Sequence, residues 1–232
     1  MKSALRIAFT LFFFSSLYSQ TAVDTTETSA VLTPDQCFDV IKKTWDGLKK
    51  ISEDFKSQID VKSEFESTTE FNERVRKSKD QFANKVQKYS ADQKLGGKMF
   101  SVWMKAELTK YDADNQIYSV KSPTQILVQP KKEEIAIACP SNKYVSLTEK
   151  NEQGYRRAYI HLNTEPNFSW FVNKVTAQAA KNKESQIYFK LSFTMEVSVN
   201  ETDDQIVLTI VPHKLSLLNQ SENFTYWSED IR

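Results

Sequence analysis

The chain has 232 residues, 31 basic and 30 acidic side chains, and a hydrophobic fraction of 40%, enough to bury a core in one domain or two small ones and too much for whole-chain disorder. A formal charge of +1 offers no basic excess to neutralise a phosphate backbone, so no nucleic-acid partner is expected. Four glycines, two histidines and two cysteines leave little material for phosphate-cradling loops or for histidine and thiolate metal centres, and no cofactor is expected.

Residues 1–20, M-K-S-A-L-R-I-A-F-T-L-F-F-F-S-S-L-Y-S-Q, set Lys2 and Arg6 before an apolar centre (Ile7 to Phe14) and a small, polar end. That is the layout of a secretory signal peptide, with cleavage near Ser19 or Ala22. The rival reading is an uncleaved anchor, but the apolar run is far short of the roughly 20 residues that span a bilayer. No later segment is apolar enough to span one, so the mature chain is expected to be exported, periplasmic or secreted. Without Lys2 and Arg6, 29 basic residues face 30 acidic ones.

Residues 21–32 are rich in Ser and Thr without a dominant period and read as a flexible leader. A helical segment, 33–92, follows. Thr33-Pro34-Asp35-Gln36 carries an N-cap hydroxyl, a proline at the first helical position and a glutamine that reaches back, which together form a capping box. Cys37, Phe38, Ile41, Trp45, Leu48, Ile51 and Phe55 then recur at steps of three and four, predicting an amphipathic helix from Pro34 to about Phe55. Ser67-Thr68-Thr69-Glu70 is a second capping box, with Phe65 placed to staple onto Phe71. Phe71, Val75, Phe82 and Val86 mark the apolar face of a helix ending near Tyr89. Gln58 to Val61, between the two, reads as a short extended piece.

Gly96-Gly97 breaks the helical pattern, and 97–218 reads as sheet with one helix. Alternation from Phe100 to Leu108, a turn at Tyr111 to Asn115 and a return at Ile117 to Lys121 predict a hairpin. Short runs follow at Gln125 to Val128, Glu134 to Cys139, Tyr144 to Thr148 and Tyr155 to Leu162, separated by prolines and the Glu152-Gln153-Gly154 turn. A third helix is expected over about 167–182, from Phe168 to Lys181. The strongest strand signal is Ile187 to Val199: Phe189, Leu191, Phe193, Met195, Val197 and Val199 alternate with Lys190, Ser192, Thr194, Glu196 and Ser198, so the apolar groups share one face of a sheet. Gln205 to Val211 continues past Pro212, which implies an edge or a bulge. Residues 219–232 read as a polar tail holding Phe224, Tyr226 and Trp227. The fold class is therefore α+β: an N-terminal helical hairpin and a later helix packed on one face of a mainly antiparallel sheet.

Several chemistries are excluded by spacing. No Rossmann fingerprint, P-loop or G-x-S-x-G elbow can be assembled from Gly47, Gly96, Gly97 and Gly154. His161 and His213 lie far apart in strand-like runs, so zinc-protease spacing is absent, and there is no C-x-x-C pair. Asp112-Ala113-Asp114-Asn115 looks like half a calcium loop, but Ile117 and Pro123 stand where Gly and Glu are needed, and a turn is the better reading. Asp203-Asp204 reads the same way. Arg74-Val75-Arg76-Lys77-Ser78-Lys79 is either an anionic-surface patch or, more commonly, a solvated helix face. Trp103, Trp170, Tyr226 and Trp227 are either core or stacking platforms. N-x-S/T sequons stand at Asn167, Asn200, Asn219 and Asn223.

In an exported chain Cys37 and Cys139 are expected to form a disulfide. The competing reading makes Cys37 a nucleophile, its pKa lowered by the N-terminal turn of the first helix. On balance the sequence predicts a non-enzymatic cell-envelope protein that binds a protein or another envelope partner. The alternatives are a carrier holding an apolar ligand between sheet and helices, or a hydrolase whose carboxylate or Cys37 site assembles in space.

Overall fold

The computed structural model describes residues 30–59, 61–129, 135–165, 168–200 and 202–231. The expected signal peptide, 1–20, and most of the leader lie outside them. Leu32, at the leader's end, is not loose: its N–H donates to Ser101 O (2.8 Å) and its carbonyl accepts from Trp103 N (2.9 Å).

Helices α1 (Pro34–Ile59) and α2 (Thr68–Asp92) form the expected hairpin. Both capping boxes are present: Thr33 and Gln36 exchange hydrogen bonds of 2.9 and 3.3 Å, and Ser67 and Glu70 of 2.8 and 3.2 Å. Each helix outruns its last apolar marker, because a final turn needs backbone bonds but no buried side chain; Gln58 and Ile59 are accordingly helical rather than extended. Cys37, Ile41, Trp45, Leu48 and Phe55 form the buried stripe of α1, and Phe82 stacks on Phe55 with ring centroids 4.3 Å apart. The Phe65 staple does not form. Phe65 is 92% exposed, and Phe71 lies instead under the Arg74 guanidinium, 5.1 Å from its ring centroid. Arg74 sets the chain's entry into α2: it binds both Glu66 carboxylate oxygens (2.8 Å each), Val61 O (3.1 Å) and Gln58 O. A bidentate charge-assisted pair supplies the directional restraint that a staple would have given.

Eleven strands follow among the described residues: β1 (Phe100–Lys105), β2 (Glu107–Asp112), β3 (Ile117–Lys121), β4 (Gln125–Gln129), β5 (Ala136–Ala138), β6 (Val145–Glu152), β7 (Tyr155–Leu162), β8 (Ser169–Phe171), β9 (Ile187–Val199), β10 (Ile206–Asn219) and β11 (Phe224–Asp230), with α3 (Lys174–Asn182) before β9. They make a five-stranded sheet, β1-β9-β10-β11 with β5 also on β10, and two three-stranded sheets, β2-β3-β8 and β4-β7-β6. All pairings between these strands are antiparallel except β5 on β10, and Leu32 adds a parallel bridge to Val102 of β1. The class is α+β, with two helices leading and a third packed near the sheet.

Three expectations about local structure are corrected. The run Phe100 to Leu108 is two strands, not one: β1 pairs with β9 and β2 with β3. Alternation continues across the break, so periodicity could not see it; what changes at Ala106 is the partner, its N–H going to Ile187 O (3.3 Å) and the next-but-one N–H, of Leu108, to Glu184 Oε1 (2.7 Å). The third helix begins six residues late. Ser169–Phe171 pairs with β3, and Asn173 caps α3 by accepting from Thr176 N (2.9 Å). The tail is also structured, because 224–230 pairs with β10 as β11.

One core joins these layers. Phe189, Leu191, Phe193 and Met195 of β9 and Ile206, Leu208, Ile210, Leu215 and Leu217 of β10 are each at most 2% exposed. Aromatic rings carry the contact outward from there. Phe168 meets Phe189 (5.3 Å) and Trp227 (4.7 Å), Trp227 meets Tyr144 (5.7 Å), and Trp170 bridges Tyr118 (6.1 Å) to Tyr226 (4.9 Å). Trp170, Tyr226 and Trp227 thus belong to the packing between sheets.

Gly47 lets α1 and α2 approach: a Cβ there would stand 2.3 Å from Tyr89 Oη. Helix propensity favours Gly47→Ala by up to about 1 kcal/mol, whereas overpacking costs about 1–3 kcal/mol. The expected net effect in chemical denaturation is destabilisation, turning into stabilisation when Tyr89 is first replaced by Ala. A destabilising Gly47→Ala in both backgrounds would contradict this packing.

Candidate functional site

The long β9–β10 pair has two unlike faces, and the second is the candidate site. A bulge makes it. From Ile206 to Pro212 the β10 partners on β9 run from Val199 to Phe193, and after one extra residue they resume at Lys214 opposite Ser192. In a strand a one-residue shift exchanges the two faces. Even-numbered Ile206, Leu208 and Ile210 therefore face the core before the bulge, and odd-numbered Leu215 and Leu217 do so after it. The same step carries Lys214 and Ser216 to the opposite face. Pro212 sits where β10 is paired with neither β5, which ends at Thr209, nor β11, which begins at Lys214, so its missing N–H breaks no ladder on that side. His213 is the extra residue; its Nε2 lies 2.8 Å from Thr194 Oγ1 and its carbonyl accepts from Ile231 N (2.8 Å).

Register then lays the open face out in rows. Trp103, Lys190, Ser216 and Ser228 stand opposite one another across β1, β9, β10 and β11. Ser101, Ser192, Lys214 and Asp230 form the adjacent row. Two hydroxyl pairs tie the rows across strands, Ser101 Oγ to Ser192 Oγ and Ser216 Oγ to Ser228 Oγ, each at 2.9 Å. A cleft of about 370 Å³ opens here, with Ser192, Ser216 and Leu218 as its buried floor and Trp103, Lys190, Lys214, Asn223, Thr225 and Ser228 around it. Lys105, two residues beyond Trp103 on β1, is committed elsewhere: its Nζ donates to Glu184 O (2.9 Å) and Ser185 O (2.8 Å) and lies 4.7 Å from the Tyr188 ring centroid. Burial lowers its pKa, and nearby Glu184 and Glu107 oppose that.

The sequence shows Lys190 and Ser192 as the polar half of an alternation, which reads as an ordinary wet face. Lys214 and Ser216 are invisible as partners of that half until the bulge is known. Ser228 lies in the stretch read as tail. Of the four aromatics considered as stacking platforms, Trp103 alone borders the cleft, half-buried and edge-on to Tyr188 (6.0 Å).

The other candidate residues have different roles. Cys37 and Cys139 are both free thiols, so the expected disulfide is not formed. An oxidising compartment permits a bridge but does not bring two sulfurs together, and a bridge needs Cα atoms within about 7 Å; here Cys37 lies in the first turn of α1 and Cys139 just past β5. The dipole argument for a reactive Cys37 is also overturned: burial pushes its pKa up to about 12, and that of Cys139 to about 11. A thiol in the core behaves as a small hydrophobe.

His161 lies between two hydroxyls, Ser146 Oγ at 3.0 Å from Nε2 and Thr148 Oγ1 at 3.0 Å from Nδ1. Ser146 in turn donates to Asn163 Oδ1 (3.1 Å). Assigned from that pattern, Nε2 carries the ring proton and Nδ1 accepts from Thr148. A histidine acting as base toward a serine needs the reverse arrangement. Asp112 closes its turn, accepting from Asp114 N, Asn115 N and Asn115 Nδ2 at 2.8–3.1 Å, and these bonds, Asn115 first, hold its carboxyl below the usual range. The basic run of α2 is neutralised: Arg74 binds Glu66, Arg76 is 4.0 Å from Asp80, Lys77 is 3.0 Å from Glu73, and Lys79 is 2.6 Å from Asp204. Asn219 is fully buried and caps the β10–β11 turn through Ser221 and Glu222, so its sequon is closed to modification in the folded chain. Among the described residues no helix is long and apolar enough to cross a membrane, and no three potential metal ligands cluster.

A second hollow, about 460 Å³, lies between α2 and the end of β9, bordered by Val197, Val199, Phe82 and the Lys79–Asp204 pair. Phe82, stacked on Phe55, and Val86 form its apolar wall, and Asp80 and Gln87 lie on its polar side.

Two measurements check these assignments. In the folded protein at pH 8, Cys37 should resist alkylation until denaturant is added and Cys139 should react more slowly than a free thiol; prompt labelling of Cys37 would contradict its burial. Burial lowers the His161 pKa below its unfolded value. The unfolded chain then takes up more protons as pH falls through about 6.5, so stability declines in that window and is regained above it. His161→Asn should flatten that slope, and an unchanged profile would place the titration elsewhere. Compared with protein-family models, with curated proteins and with solved structures, the chain matches none.

Proposed function

We propose that this chain is an exported, non-enzymatic cell-envelope protein that works by binding, and that the open face of the five-stranded sheet receives its partner. The observation that carries this reading is the polar cleft on that face, held by cross-strand pairs on the two longest strands. Binding surfaces need fixed geometry, and side chains on paired strands hold their positions better than side chains on loops. Export rests on the N-terminal layout of residues 1–20. The partner is an envelope or extracellular molecule, and near-neutral charge gives no support to nucleic acid.

The carrier alternative is less well supported, because the hollow between α2 and the end of β9 is bordered by Lys79, Asp80, Gln87 and Asp204 as well as by apolar side chains. The hydrolase alternative needs carboxylates facing a common water. Here Glu66, Glu73, Asp80, Glu152, Glu184 and Asp204 are each turned to a cation.

Photo-cross-linking from the native host tests the reading. A benzophenone side chain placed at Thr225, on the rim of the cleft, should give a discrete adduct in envelope fractions, and one at Lys88, on the far helix, should not. Adducts from both positions, or from neither, would withdraw the open face as the binding site. The mature chain in those fractions should begin near Gln20 to Val23, and a retained Met1 would refute cleavage.

A further inference from the structure

We infer that the cleft takes an acidic saccharide, a sugar unit bearing a carboxylate, sulfate or phosphate. This deepens the binding assignment above and rests on it.

The chemistry of the cleft is rich in donors. Lys190 and Lys214 project from neighbouring strands on one face, one diagonal step apart, since the residue directly across from Lys190 is Ser216 and that across from Lys214 is Ser192. Both ammonium groups border the same cleft, so an anion seated there meets two charged donors. Lys214 faces Asp230 by register, yet no ion pair joins them among the described residues. Each serine pair leaves a further donor: in Ser101–Ser192 and Ser216–Ser228 one hydroxyl proton closes the pair and the second has no place in it. Ammonium groups have no acceptor capacity at all, so the ligand must supply oxygens, and anionic ones are matched best.

Charge alone would suit any small anion; the size of the cleft and Trp103 narrow the class. About 370 Å³ exceeds what one tetrahedral anion fills, and the indole at the border offers an apolar plane of the kind on which a sugar ring packs while its hydroxyls bond sideways. Asn223, Thr225 and Ser228 supply amide and hydroxyl groups around the same opening. The bulge at His213 is the device that brings the second lysine to this face, so a single backbone feature separates a plain sheet surface from a binding surface.

Calorimetric titration of the full exported chain with an oligogalacturonate hexamer, a heparin-derived hexasaccharide, neutral cellohexaose and inorganic phosphate tests this. Saturable binding of at least one acidic hexamer is expected, with cellohexaose and phosphate each at least tenfold weaker. Lys214→Gln should reduce affinity about tenfold, as loss of one charge-assisted hydrogen bond does, and Lys214→Glu more. Lys214 is exposed, so both variants should keep the wild-type melting temperature. Trp103→Phe should retain part of the affinity and Trp103→Ala should lose it. No saturation with either acidic hexamer overturns the inference, as does equal binding of cellohexaose, equal binding of phosphate, or indifference to both Lys190→Gln and Lys214→Gln. If these titrations are blank while Thr225 still cross-links a partner, the saccharide falls and the binding face stands; if both are blank, both fall.

Discussion

The pairing of β9 with β10 is the constraint on which everything else in this molecule depends. It is the longest ladder in the structure, running from Ile187–Asn219 to Val199–Ile206, and it presents nine large apolar side chains to one side. Fully burying each such group is worth about 1.5–3 kcal/mol, so this single face dominates the interior, and exposed ion pairs such as Arg76–Asp80 add little by comparison. α1, α2 and the aromatic cluster around Phe168 and Trp227 pack where they do because this face must be covered.

Covering one face leaves the other free to specialise. On a uniform ladder the polar side of β9 would have opposed a row of apolar β10 residues past Pro212, since β10 would have kept its parity. The extra residue at His213 reverses that parity, keeps Leu215 and Leu217 in the core, and sets Lys214 and Ser216 beside Lys190 and Ser192. The bulge therefore serves both faces at once. It is anchored on each side of the strand, by Thr194 to its ring and by Ile231 to its carbonyl. The C-terminal strand closes the same region, contributing Ser228 to the cleft and Trp227 to the core from adjacent positions.

The polar features that sequence inspection weighed as candidate sites and read as structural are satisfied by local bonding. His161 has a hydroxyl at each ring nitrogen, Asp112 holds its own turn, and the cations of the Arg74 to Lys79 run each face a carboxylate. These residues are polar because backbone ends, turns and solvated faces need polar groups, and that requirement looks the same in a sequence as a catalytic one. The residues that form the cleft are less conspicuous. Ser, Lys and Thr in alternation are the commonest content of a wet sheet face, and only their convergence distinguishes them.

Much of the local structure was legible from residue order. Both capping boxes, the apolar stripes of α1 and α2, the extent of β9, the Glu152 to Gly154 turn and the irregularity at Pro212 follow from hydrogen-bonding capacity, φ restriction and side-chain periodicity, which act within a few residues. What only the tertiary structure decided were the partners: that the Phe100 to Leu108 run divides between two sheets at Ala106, that the tail becomes β11, that Ser169 to Phe171 joins β3 instead of opening a helix, and that Cys37 and Cys139 remain apart as thiols. Alternation states which side of a strand is apolar but not which strand lies beside it. That choice depends on long-range packing, and with it goes the cleft, whose two lysines, 24 positions apart in the chain, meet through one bulged residue.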